Sequence, residues 1–118
     1  MRLPLLSSLI FCLLPSCKHD ADVQCYSGVI VGQTCMDGVI IQVNERTLIG
    51  KPIQGSSNAV AAVNDLGNLY AVGSNVYFTY TENPNNQGPD RFCTQNTSLL
   101  PIPHLILNYV SAMPCAAP

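Results

Sequence analysis

Charge is scarce in this chain: Asp, Glu, Lys and Arg make up only 10% of its 118 residues. Five basic residues stand against seven acidic ones. That balance supplies neither the positive footprint a nucleic acid requires nor a polybasic patch for a membrane surface. Histidine occurs twice, as His19 and His104. No G-x-S-x-G elbow accompanies His104, so a hydrolytic triad has no motif to rest on and a surface position is expected for it. The six cysteines include no C-x-x-C pair, which argues against zinc. Asp37, Asp65, Glu82 and Asp90 all fall in predicted turns or loops, where Asp serves as a turn former rather than half of an acid–base pair. Internal repeats are absent, as is any pattern for a helix of three turns. These absences predict a protein that is not an enzyme and holds no cofactor and no metal.

The first residues have a different character. Met1-Arg2 is a short basic start, and Leu3 to Leu14 is almost wholly apolar. The run is too short for a membrane helix, which needs roughly 20 residues to cross ~30 Å of hydrocarbon. It has the form of a secretory signal. Leu14-Pro15-Ser16-Cys17 resembles the lipobox of bacterial lipoproteins, with Pro15 as the departure from the usual pattern. The resemblance implies cleavage after residue 16 and a lipidated Cys17, palmitate among its acyl chains. Each buried CH₂ is worth ~0.8 kcal/mol, so more than one chain makes a stable anchor. The expected organisation is a signal peptide over 1–16, a lipidated tether over 17–24 and a single β-rich domain over 25–118. The expected location is the bacterial cell envelope, membrane-anchored and facing the periplasm or the cell surface. The processed chain carries four basic and seven acidic side chains, a balance of −3. In that setting the sequon-like Asn96-Thr97-Ser98 is a chance match.

Past the tether, β-branched and aromatic runs alternate with Gly, Pro and Asn. Val29 to Val31 and Val39 to Asn44 flank a Gly-containing connection and predict a hairpin. Period two places Val39, Ile41 and Val43 on one face, and Ile40, Gln42 and Asn44 on the other. Residues 45–58 predict mostly loop, and Ala59 to Val63 fits either a strand or a helical turn. Val76 to Thr81 is the strongest strand, with Val76, Phe78 and Tyr80 inward and Tyr77 outward. A long polar loop follows from Glu82 to Ser98, and Leu105 to Val110 forms a last strand. About five strands suit a small barrel better than a seven-stranded sandwich.

The hairpin, followed by Val72-Gly73-Ser74-Asn75-Val76-Tyr77-Phe78, resembles an OB-fold, in which a Gly turn precedes the fourth strand. The expected class is all-β: a five-stranded OB-like barrel or a related β-sandwich. Cys12 leaves with the signal and Cys17 is lipidated, so Cys25, Cys35, Cys93 and Cys115 remain to form two disulfides. Of three possible pairings, Cys25–Cys35 is disfavoured by reach. A seven-residue strand between them spans ~23 Å at ~3.3 Å per residue, whereas bridged Cα atoms lie about 4.4–6.8 Å apart. The OB resemblance puts the first hairpin loop beside the loop before the last strand, which favours Cys35–Cys93 and leaves Cys25–Cys115.

The candidate interaction residues are Arg91 and Phe92, beside the Cys93 staple, and Tyr77 on the outer face of its strand. The functional expectation is a non-enzymatic, lipid-anchored interaction or structural module that meets an unknown protein or glycan partner, and no nucleic acid. The alternative is a secreted small-protein inhibitor of a hydrolase, with Asn83 to Phe92 as its loop.

Overall fold

β-Branched and aromatic residues fold into six strands in the computed structural model, which describes residues 25–94 and 98–115. They are β1 (Tyr26–Thr34), β2 (Gly38–Val43), β3 (Lys51–Ile53), β4 (Ser56–Ala62), β5 (Asn75–Thr81) and β6 (His104–Ser111). A single 3-10 turn, Gly67–Leu69, lies between β4 and β5. The expected signal peptide, Cys17, the expected tether and the Asn96-Thr97 part of the sequon match lie outside the described residues.

Five of the strands close on themselves. β1 pairs antiparallel with β2 and with β5, β2 with β4, and β5 with β6. The ring closes where β4 runs parallel to β6, with Ala61 opposite His104 and Ala62 opposite Leu105. This order, with one parallel contact, makes an OB-like barrel. The short β3 pairs only with β4, as an edge.

Three stretches depart from the sequence expectation. β1 continues through Gly32 to Thr34, because the register shifts between Ile30 and Gly32 and the strand carries on past the bulge. Gly in a strand often marks such a bulge rather than an end. Residues 45–58 contain β3 and the start of β4. Pro52 sits where the β3–β4 register shifts, on an edge strand that tolerates a missing donor. Ala59 to Ala62 are strand, not helical turn.

The interior follows the period-two pattern. Ile30, Val39, Ile41, Val43, Val60, Ala62, Val76, Phe78, Leu105 and Leu107 are all buried in one cluster. Each large member contributes about 1.5–3 kcal/mol by leaving water. Tyr26 packs against this cluster and near two inward residues of β5, with ring centroids 5.8 Å from Phe78 and 5.2 Å from Tyr80. Two disulfides staple the barrel. Cys25, just before β1, joins Cys115, just after β6, with Cα atoms 6.4 Å apart. Cys35, just after β1, joins Cys93, with Cα atoms 5.8 Å apart.

Candidate functional site

A second apolar cluster lies outside the barrel. Ile40 on β2 and Ala59 and Ala61 on β4 point outward, yet all are buried, under Ile102 with Leu100 and Ile53 alongside. In OB-like barrels this outer face, flanked by the first hairpin loop and the loop before the last strand, is a common ligand surface. Here the chain's own Leu100 and Ile102 cover it; they belong to the segment between β5 and β6, described over residues 82–94 and 98–103 and hereafter called the strap. The alanines of β4 let that segment lie close, which is why both faces of β4 are buried.

Backbone contact sets the strap's path. Gly88 packs against the Met36 carbonyl so tightly that a Cβ would collide with it. Gly38, which opens β2, has a φ of +95°, a conformation that suits glycine, and lies as close to the Ala62 carbonyl. Cys35–Cys93 bolts the strap to the turn between β1 and β2.

Polar groups complete the attachment. Asp37, in that turn, is buried, and its Oδ1 accepts from the Leu100 amide at 2.9 Å. The same oxygen lies 2.7 Å from His104 Nε2. Asp37 Oδ2 accepts from the Thr34 hydroxyl at 2.6 Å, while the Asp37 amide donates to Thr34 Oγ1 at 2.9 Å. Burial pushes the Asp37 carboxyl upward. The hydrogen bonds from Thr34, Leu100 and His104, together with the His104 charge, outweigh that and hold it below the ordinary aspartate value. His104, 1% exposed, turns its other nitrogen, Nδ1, to the Ile102 carbonyl at 2.9 Å. Both ring nitrogens thus face oxygen partners inside the protein.

His104 is therefore not a surface residue. It is buried because the first residue of β6 enters beneath the strap, where Asp37 supplies the partner that makes burial tolerable. Thr34, Asp37 and His104 contain the groups of a catalytic triad in the wrong order. The hydroxyl bonds the carboxylate rather than the imidazole, and neither ring nitrogen is left for a substrate.

Asparagine pins the remaining loops. Asn86, at φ 49°, accepts from the His104 amide at 2.6 Å and donates to the Ile102 carbonyl at 3.1 Å. Asn64 grips both backbone groups of Leu107 in the same way, at 2.7 and 2.8 Å. Buried Asn58 donates to the Thr47 carbonyl at 2.8 Å and accepts from the Gly50 amide at 2.8 Å, closing the loop after β2.

The candidate interaction residues divide between two places. Arg91 and Phe92 stand on the strap beside the Cys93 staple, and Phe92 is 88% exposed. Tyr77 is half-buried on β5, opposite Ser27 and Ser111, and borders a separate groove with Gln42, Asn44 and Glu45. The structure does not bring Tyr77 to the strap. Sequence reasoning missed Asp37, His104 and the three asparagines. Thr34-x-x-Asp37 ahead of Gly38 was a usable signal for a polar staple at a hairpin turn, whereas the distant His104 had none.

No protein-family model, no curated protein and no solved structure matches this chain.

Proposed function

We propose that this chain is a lipid-anchored, non-enzymatic interaction module of the bacterial envelope, and that Arg91 and Phe92 form its contact with a protein partner. The observation that carries the surface is Phe92: a large apolar side chain, 88% exposed, on a segment pinned by the Cys35–Cys93 disulfide and by the Leu100 amide's bond to buried Asp37. A pre-ordered anchor loses little freedom on binding, which raises affinity without new contacts. An adjacent Arg adds a charged fork, and aromatic and Arg side chains are enriched at binding hot spots.

The anchor rests on the lipobox-like Leu14 to Cys17, and the chain order suits it. Cys17 precedes Cys25 by eight residues. Cys25 and Cys35 lie at opposite ends of β1, which reaches at most ~30 Å at ~3.3 Å per residue. A lipid on the Cys25 side leaves the Cys35–Cys93 side, with Phe92, to face outward.

Two experiments test the two halves. Cys17→Ser abolishes palmitate labelling; a mature, membrane-associated variant would overturn the anchor. In crosslinking on intact cells, Arg91→Ala with Phe92→Ala loses the partner's band while the domain stays folded and labelled. An unchanged pattern removes this surface. The disulfide beside Phe92 also favours a second reading, hydrolase inhibition. It is selected if the crosslinked partner is a hydrolase that the purified domain inhibits and the double variant does not.

A further inference from the structure

The strap's inner edge, Pro89 to Arg91, forms one wall of a cleft of about 320 Å³ at the mouth of the barrel. The opposite wall comes from the segment after β4 and from Tyr70. This cleft is separate from the outer face of β2 and β4, which Leu100 and Ile102 fill, and Phe92 is not part of its lining. We infer that it is a binding site for a neutral saccharide, about one or two sugar rings in size.

The lining carries the inference. Val39 and Leu66, both buried in the core, form an apolar floor. Tyr70, 39% exposed, also lines the cleft. Gln33, Asp65, Asp90 and Arg91 supply the rim. Asp65 spends one carboxylate oxygen on the Gly67 amide at 3.0 Å, which leaves the other for a ligand. An apolar base with a few convergent polar groups is the usual make-up of a small-molecule site, and the volume lies near the lower end of the ~300–1,000 Å³ such sites span.

Charge and shape then select the ligand class. Two carboxylates against one guanidinium disfavour a phosphate or another anion. A wholly apolar ligand would strand the polar rim without partners. The Asp90 carboxylate, the Gln33 amide and the Arg91 guanidinium are each bidentate, which matches pairs of neighbouring hydroxyls, and the tyrosine ring suits the C–H face of a pyranose. The cleft is also pre-formed. Asn64 is clamped to Leu107, Asp65 accepts from the Gly67 amide at the start of the 3-10 turn, and the strap wall is held by Cys35–Cys93. Little ordering remains to oppose binding. This goes beyond the protein-contact reading and does not depend on the anchor or on Phe92.

The test is an amide-resolved NMR titration of the folded, disulfide-intact domain with cellobiose and with diacetylchitobiose. Butylamine and inorganic phosphate are titrated in parallel. The expected result is saturable shifts at Gln33, Asp65, Tyr70 and Arg91 with at least one saccharide. Tyr70→Ala weakens that binding about tenfold, a loss of about 1.4 kcal/mol. Gln33→Ala, an exposed change that leaves the fold intact, weakens it by a smaller factor. Phe92→Ala leaves it unchanged while removing protein crosslinks, which separates failure of this site from failure of the contact surface. Saturable shifts with butylamine or phosphate alone, no saturable shift with either saccharide, or full affinity in both cleft variants would overturn the assignment.

Discussion

The inner and outer layers of this domain reach similar burial by different means. Inside the barrel, side chains alternate in and out along each strand, and a row of Val, Ile, Leu and Phe does the packing. Outside, over β2 and β4, the apolar contact is small: two alanines and Ile40 beneath Ile102 and Leu100. What holds the strap there is polar and covalent: Asp37 with His104 and Leu100, Asn86 with Ile102 and His104, and Cys35 with Cys93. A hydrophobic layer tolerates substitutions that keep volume and pattern. A layer held by a few directional bonds fails when one member is lost, because the partner is left buried and unsatisfied. The strap should therefore be the brittle layer.

The harshest way to break the comparison is Asp37→Ala. It strands the His104 ring, the Leu100 amide and the Thr34 hydroxyl together. Each buried polar group left without its partner costs about 1–3 kcal/mol. Urea unfolding should show that loss, and hydrogen exchange should place it, with the Leu100 and His104 amides losing protection before those of β1 and β2. The same carboxylate sets an acid limit. Its folded value lies below the ordinary 3.8, so its contribution is fully present above 3.8 and drains away as pH falls through the lower folded value. Wild-type stability should drop across that acid window, and Asp37→Ala should show less of the drop. A variant that unfolds at the wild-type midpoint with the strap still protected would show that the clasp is not what holds it.

Cutting the covalent link comes next. Cys35→Ala with Cys93→Ala opens a loop whose ends are 58 residues apart in sequence. The expected loss is about 2–4 kcal/mol. If the strap is the brittle layer, its amides should lose more protection than the barrel's. Equal loss in both layers would mean that the bridge acts only through the unfolded chain.

The two layers also differed in how far the sequence revealed them. The barrel was legible because alternation in residues 39–44 and 76–81 is a local signal with a known period. The cysteine pairing followed from strand reach and the barrel resemblance. The strap was not legible. Its apolar anchors, Leu100 and Ile102, are separated by Pro101 and have no periodicity, so they read as loop. Ala59 and Ala61 gave no clear face because both sides of β4 are covered. Asp37 and His104 are 67 residues apart, and each alone fits a surface turn or strand mouth. The asparagines read as solvent-facing loop residues, yet three of them bond backbone as a neighbouring strand would. Local propensity does not encode a side chain's distant backbone partner.

Asn86 gives the finest test of the brittle layer, because it combines two contributions that can be separated. Its side chain bonds the strap's return at Ile102 and His104, and its backbone sits at φ 49°, where asparagine is tolerated better than most residues. Asn86→Gly keeps the left-handed conformation and removes the fork. The cost should be about 1–2 kcal/mol, the scale of two modest hydrogen bonds plus the flexibility glycine adds to the unfolded chain. Asn86→Ala removes the fork and also forces a Cβ into the left-handed region, a further penalty of ~1–2 kcal/mol. Because alanine escapes glycine's unfolded-chain entropy, the net gap between the two variants should be about 1 kcal/mol or less, with Ala the less stable. Paired urea melts at neutral pH resolve a difference of that size. If Gly matches wild type while Ala alone is destabilised, the backbone bend is all that Asn86 supplies and the fork to Ile102 and His104 holds nothing. If Gly and Ala fall together, the fork is the whole contribution, and the strap could reach the same path through another turn.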